Sequence, residues 1–170
     1  MNSDLIKIAG RFLLLIPLQV LIANHMRIFG YINPQVYLLF ILWYPLKKNI
    51  TDLLVTAFFF GMLLDTFSNS GGVNTAALLL ICYIRLPIIK FVFNDKDLDL
   101  KLFKYQNYST LQKIILIFSL AFVHQFAIYL LEYFSFNSLG TILYKTLNNS
   151  LFTTFVIVIF LSMFTVNKKK

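Results

Sequence analysis

Charged side chains interrupt the apolar runs of this 170-residue chain at only a few positions. Asp65 and Glu132 each lie at the end of an apolar run. Arg27 directly follows the first apolar run, and Lys145 lies near the start of the last one. Ionisable groups at membrane depth are costly, and they pair with one another or face a cavity. We therefore expect Asp65 and Glu132 to pair with Arg27 or Lys145. The alternative is that all four side chains lie at the level of the lipid headgroups and meet water.

Two further polar side chains, His124 and Gln125, lie deeper, near the middle of an apolar run. His124 and Glu132 are eight residues apart, so a helix would place them on roughly one face, as a proton relay requires. Hydrogen bonding between helices is the interpretation we favour for His124, and Gln19 is expected to be a packing contact of the same kind.

Glycines mark the segment around Asp65. Gly61 lies one helical turn before the acid and would permit close helix approach. Gly71 and Gly72 follow it and allow a chain reversal with positive φ. Because the single cysteine, Cys82, lies in an apolar run, an intramolecular disulfide is excluded. No phosphate-binding glycine loop or zinc-type spacing is present, so we expect neither an enzyme nor a cofactor.

The composition indicates which kind of structure positions these residues. Hydrophobic residues make up 59% of the chain and charged residues 13%, about half the share typical of soluble domains. The formal net charge of +8 would suit nucleic acid, but the basic residues stand at the ends of apolar runs. Membrane topology explains that placement better.

Six apolar runs are long enough to cross a bilayer as helices, which need about 20 residues. They predict a single all-α transmembrane domain over residues 1–170, because lipid offers the backbone no other hydrogen-bond partner. The predicted spans are 8–26, 29–46, 51–67, 75–93, 111–134 and 141–166.

Lys and Arg in the flanks orient these spans. With six spans and the N-terminus inside, 13 of the 15 basic residues lie on the cytoplasmic side, and Arg27 and Lys145 lie outside. Both termini are then cytoplasmic. Loss of the second span would place Lys47 and Lys48 on the outer side, so that span is the weak point of the prediction.

Several segments in order resemble the rod-shape-determining protein MreD, particularly its short Gram-negative forms. The glycine-to-aspartate segment is the most characteristic, and together the segments span nearly the whole chain. They are Arg11–Phe12, Leu18–Leu21, Gly30–Pro34, Pro45, Gly61–Asn69 followed by Gly71–Gly72, Tyr83–Arg85 and Leu131–Phe136.

This resemblance implies a non-enzymatic subunit of the cell-wall elongation machinery in the bacterial inner membrane. MreD-like proteins act with MreC, a single-pass protein, in one assembly with MreB, the glycosyltransferase RodA and a class B penicillin-binding transpeptidase. The family's fold is similar to the six-helix substrate-binding component of energy-coupling-factor transporters. Candidates for structural or partner-binding roles are Gly61, Asp65, Gly71, Gly72, Arg85, Arg27, Glu132 and Lys145.

Two alternatives remain from the sequence. A small-molecule binding component of a transporter, for a vitamin-like ligand, would place its pocket in the outer polar layer. The second alternative is a polytopic enzyme, but the sequence contains no cluster of reactive residues to support it. The basic segment Lys90–Lys113 is explained most simply by attraction to anionic lipid.

Overall fold

The computed structural model describes residues 10, 14–23, 32–46, 49–94, 108–134 and 139–166, and this part of the chain is almost entirely helical. Four of its helices are long and apolar enough to cross a membrane, which identifies a multi-pass membrane protein. The elements are a π-helical segment Leu18–Ile22 and the α-helices α1 Leu38–Trp43, α2 Ile50–Ser68, α3 Val73–Phe93, α4 Thr110–Tyr133 and α5 Leu139–Val166.

The four long helices pack in chain order, α2 on α3, α3 on α4 and α4 on α5. Their ends lie within two residues of the third to sixth spans expected from the sequence. α4 begins with a capping box: the Gln112 amide N–H donates to the Ser109 hydroxyl, and the Ser109 N–H donates to the Gln112 side chain. The connection between α2 and α3 is only four residues long, 69–72, so these two helices run antiparallel.

The turn between α2 and α3 is built from left-handed residues. Asn69 ends α2 with φ 51°, and Gly71 and Gly72 follow with φ 62° and 95°. The expected chain reversal with positive φ at the two glycines is therefore confirmed. Inside the hairpin, a Cβ added at Gly61 would lie 2.6 Å from the Thr75 Cα, so close approach of the two helices requires glycine there, as expected.

The second predicted span is not one helix. The expectation of a helix over 29–46 is wrong between Asn33 and Gln35, where the backbone is non-helical, and α1 is only six residues long. Pro34 lacks an N–H and disfavours the helical conformation of the residue before it. Pro45 has the same effect on Tyr44, which is extended and ends α1.

The non-helical backbone is satisfied by side chains from other elements. The Gln19 carboxamide accepts from the Val36 N–H at 2.8 Å and donates to the Pro34 carbonyl at 3.2 Å. From α5, Asn149 accepts from the Asn33 N–H at 2.8 Å. The Thr153 hydroxyl, also on α5, accepts from the Gln35 N–H at 3.2 Å. Side chains of the protein thus replace the helical hydrogen bonds that this backbone lacks.

α1 lies inside the bundle rather than on its surface. Leu39 and Ile41 are fully buried, and the Phe40 ring stacks on Phe60 of α2 with centroids 5.0 Å apart. The lipid-facing surface is carried by the long helices. On α5 it forms a ridge at every fourth position, made of Leu143, Leu147, Leu151, Phe155, Ile159 and Met163.

We expect Gly61→Ala to destabilise the protein by about 1–3 kcal/mol, because the new methyl group overlaps the backbone of Thr75 and forces α2 and α3 apart. Thermal unfolding in detergent micelles measures the change. Gly140→Ala in α5 is the matched control, since nothing lies within 4 Å of its added Cβ. Equal unfolding temperatures for the two variants would contradict the close approach.

Candidate functional site

The carboxylate of Asp65 is the most fully hydrogen-bonded group in the described chain. Its Oδ1 accepts from the Ser70 hydroxyl at 2.5 Å, the Asn74 N–H at 3.0 Å and the Asn74 side-chain amide at 3.1 Å. Its Oδ2 accepts from the Thr75 N–H at 2.9 Å and the Thr75 hydroxyl at 2.5 Å. The expected pairing with Lys145 is wrong, because neutral donors fill both oxygens.

Asp65 thereby caps α3 from a different helix. α3 begins at Val73, and Gly72, which precedes it, has no side chain to cap it. The first N–H groups of a helix lack internal partners, and the helix dipole favours negative charge there. Asp65 supplies both an acceptor for these N–H groups and the negative charge.

A second hydrogen-bond chain extends from this capped helix across the bundle. The Tyr37 hydroxyl donates to Asn74 Oδ1 at 3.0 Å and lies 3.2 Å from His124 Nε2. Because the tyrosine has one proton and gives it to Asn74, the His124 Nε2–H is the donor to Tyr37. The interpretation of His124 as an interhelical contact is confirmed, and it joins α4 to α3 through Tyr37.

The same geometry does not provide a proton relay. Within the described chain, no hydrogen bond connects His124 to Glu132, and His124 Nδ1 has no partner. The chain toward Asp65 passes through the Asn74 amide, which has no ionisable proton to exchange at neutral pH. Gln125 is also buried, and among the described residues its Nε2 meets no acceptor.

Glu132 and Lys145 lie near each other at the end of α4 and the start of α5. The Lys145 ammonium donates to the Tyr133 hydroxyl at 2.6 Å and lies 5.2 Å from the centre of that ring. It also interacts electrostatically with Glu132. Arg27, the other base expected to pair with these acids, lies outside the described residues.

Arg85 is separate from this group. It is 4% exposed, and its Nη2 donates to the Tyr44 carbonyl at 2.6 Å, where α1 ends. A helix end leaves carbonyls without partners, and a cation there also complements the helix dipole. Its side chain is therefore buried beside the end of α1, although it was counted among the cytoplasmic bases.

The expected polar packing contact at Gln19 is confirmed, but sequence reasoning missed the α5 residues that hold the rest of the non-helical segment. The signal lay in α5, where five polar residues recur at helical spacing on one face of an otherwise apolar helix. All five are buried, and Asn149 also donates to the Tyr129 hydroxyl at 2.7 Å. They are Thr146, Asn149, Ser150, Thr153 and Thr154.

These elements enclose a polar cleft of about 590 Å³ where α2 and α4 end and α3 begins. The candidate residues Gly61, Asp65, Gly71 and Gly72 build the hairpin beside it, and Glu132 lines it. Its lining consists of Gln19, Val20, Asn33, Gln35, Tyr37, Leu64, Phe67, Ser68, Ser70, Asn74, Ile128 and Glu132.

Neither a metal site nor a known relative assigns a function to the described residues. Among the described residues, no three His, Cys, Asp or Glu side chains come together in a way that could hold a metal ion. A scan against protein-family models, a search of curated proteins and a search of solved structures each found no match.

Asp65→Asn is expected to lower the free energy of unfolding by at least about 2 kcal/mol, because the amide nitrogen would face donors where a carboxylate oxygen accepts. Denaturant unfolding in micelles measures it. The control is Asp52→Asn, the same change at an exposed position in the first turn of α2, which should stay within about 0.5 kcal/mol. Equal losses would show that the capping bonds contribute nothing.

Tyr37→Phe should cost about 1–3 kcal/mol, because Asn74 Oδ1 and the His124 Nε2–H both lose their partner in a buried site. Tyr83→Phe removes the same hydroxyl from a side chain that is 65% exposed and is the matched control. Thermal unfolding of both variants checks the expectation, and a Tyr37 variant as stable as the Tyr83 variant would refute it.

Proposed function

We propose that this chain is a non-catalytic membrane subunit of the bacterial rod, or elongation, complex. Like MreD, which it resembles in sequence, the chain binds an MreC-like single-pass membrane protein in this role. One observation carries the proposal: the segment with the strongest resemblance folds as a single structural unit. Gly61 admits Thr75, Asp65 caps α3, and Gly71 and Gly72 reverse the chain.

The proposal includes the six-span topology with both termini in the cytoplasm. The π-helical segment then belongs to the first span, and the non-helical segment with α1 forms a broken second span. Bonds from Gln19, Asn149 and Thr153 support this arrangement, because they allow an interrupted helix to remain at membrane depth. A bundle of this kind agrees with a fold similar to the substrate-binding component of energy-coupling-factor transporters.

The surfaces available for partners are helix faces within the membrane. Exposed apolar side chains form continuous rows on α5, from Leu143 to Met163, and on α2, where Phe58, Phe59 and Met62 are exposed. In membranes, helices associate through such faces by packing rather than by hydrophobic exclusion from water. MreB, a RodA-type glycosyltransferase and a class B penicillin-binding transpeptidase would join through the same complex.

Co-purification tests the proposal. We expect the tagged full-length chain, expressed at native level and solubilised in mild detergent, to retain the MreC-like protein of its own genome. An unrelated polytopic protein of similar size with the same tag should retain none. Loss of the chain should also round the cells, since lateral wall synthesis would fail. Normal rod shape and no retained MreC-like protein would refute the proposal.

The polar cleft favours one alternative, a small-molecule binding component of a membrane transporter. Eight of the twelve residues that line it have polar side chains, and transporter sites lie beside interrupted helices. This alternative predicts that the same purification retains an energising ATPase module and a vitamin-like ligand instead of the MreC-like protein.

A further inference from the structure

We propose that the polar cleft binds a ligand with a protonated amine, and that the carboxylate of Glu132 is its anionic anchor. The ligand is either the headgroup of an ethanolamine phospholipid or a soluble amine, which share this chemistry. The inference goes beyond the scaffold function, since neither MreC binding nor wall synthesis requires a ligand in the bundle.

The cleft has the size and lining of a ligand site. A volume of about 590 Å³ lies within the range of small-molecule pockets, roughly 300–1,000 Å³. Leu64, Phe67 and Ile128 offer apolar contact for methylene groups. The polar remainder consists of amides and hydroxyls, and Glu132 is the one charged side chain among the lining residues that the structure describes.

The carboxylate oxygens of Glu132 can still accept hydrogen bonds from a ligand, whereas those of Asp65 are already occupied. Asp65 accepts five hydrogen bonds from the protein. The Glu132 carboxylate accepts none from the described chain, although it lines the cleft. Lys145 attracts it electrostatically, but the ammonium donates to Tyr133 and is not part of the lining. Because Glu132 is exposed, water meets its carboxylate in the free protein, and an ammonium in the cleft would replace that water with charge-assisted N–H donors.

Two irregular backbone segments also contribute to the lining of the cleft. The non-helical segment contributes Asn33 and Gln35 to the lining, and the π-helical segment contributes Gln19 and Val20. Non-helical backbone at membrane depth persists where it is buried in protein or lines a cavity, and π-helical turns are frequent at functional sites. Gln35 lines this space, and its side-chain amide can donate to a neutral polar group of the ligand.

Glu132 therefore selects for N–H donors rather than for positive charge alone. A primary ammonium gives a carboxylate short, charge-assisted hydrogen bonds, which are about twice as strong as neutral ones. A quaternary ammonium carries the same charge but no N–H. Phosphatidylcholine is consequently the matched negative probe for phosphatidylethanolamine, and glucose is the matched negative probe for glucosamine.

Native mass spectrometry of the full-length chain in detergent tests the site. The probes are dioleoyl phosphatidylethanolamine against dioleoyl phosphatidylcholine, and glucosamine against glucose. Preferential binding of the ethanolamine lipid identifies a headgroup site. Preferential binding of glucosamine identifies a soluble amine. Because the chain is tested alone, the result is independent of whether it retains an MreC-like protein.

Glu132→Gln is expected to weaken binding of the preferred amine about tenfold or more, because a charge-assisted hydrogen bond is lost. Asp52→Asn, the same type of change at the far end of α2, should leave binding unchanged. Val20→Trp should also reduce binding, by filling the cleft without a change of charge. The proposal is overturned if no amine probe binds, if each amine binds no better than its matched probe, or if either cleft variant binds like the unaltered chain.

Discussion

The carboxylate of Asp65 is the group on which the arrangement of the described bundle depends. Removing an ionised carboxylate from water costs several kcal/mol, and only a nearly complete set of donors offsets it. The N–H groups at the start of α3 and the hydroxyls around them provide that set. Since these donors must lie within hydrogen-bond distance, α3 has to begin beside the end of α2. Gly61, one turn earlier on the same face, permits the approach.

A series of hydrogen bonds connects the α2–α3 hairpin to the rest of the bundle. Asn74 is held by Asp65 and presents its oxygen to Tyr37, and Tyr37 is held in turn by His124 of α4. Tyr37 directly follows the non-helical segment, so its hydroxyl fixes one end of that segment. Gln19 and α5 fix the remainder by hydrogen bonds to its backbone. The hairpin and the non-helical segment, each held by hydrogen bonds, thus both contribute residues to the lining of the cleft.

The sequence could predict the features that depend on local chemistry. Long apolar runs indicate α2 to α5 because the bilayer permits few alternatives, and the glycine roles follow from backbone conformation. The partners of Asp65 were missed because charge complementarity pointed to distant bases. Neutral donors five to ten residues away are already placed by the turn, so less conformational entropy is lost when they bind.

The interruption within the predicted second span was missed for a different reason. Hydropathy reports whether a segment can enter lipid, and it does not report whether the segment is helical there. In this chain the answer depends on Gln19, Asn149 and Thr153, which lie up to 118 residues from the amides they satisfy. The sequence pointed to Gln19 as a polar contact, and the polar periodicity of α5 was the signal for Asn149 and Thr153, because an apolar helix with a buried polar face must have a polar partner.

The acids Asp65 and Glu132 therefore have different physical roles in the bundle. Asp65 is 8% exposed and satisfied by the protein itself, so its cost is offset by the stability of the hairpin. Glu132 lines the cleft, is exposed to water and has no such set of donors among the described residues, so its charge needs no compensation from the protein. Glu132 shares the lining of the cleft with Gln35 of the non-helical segment and Gln19 of the π-helical segment, so its charge is accessible to a molecule that enters from outside the chain.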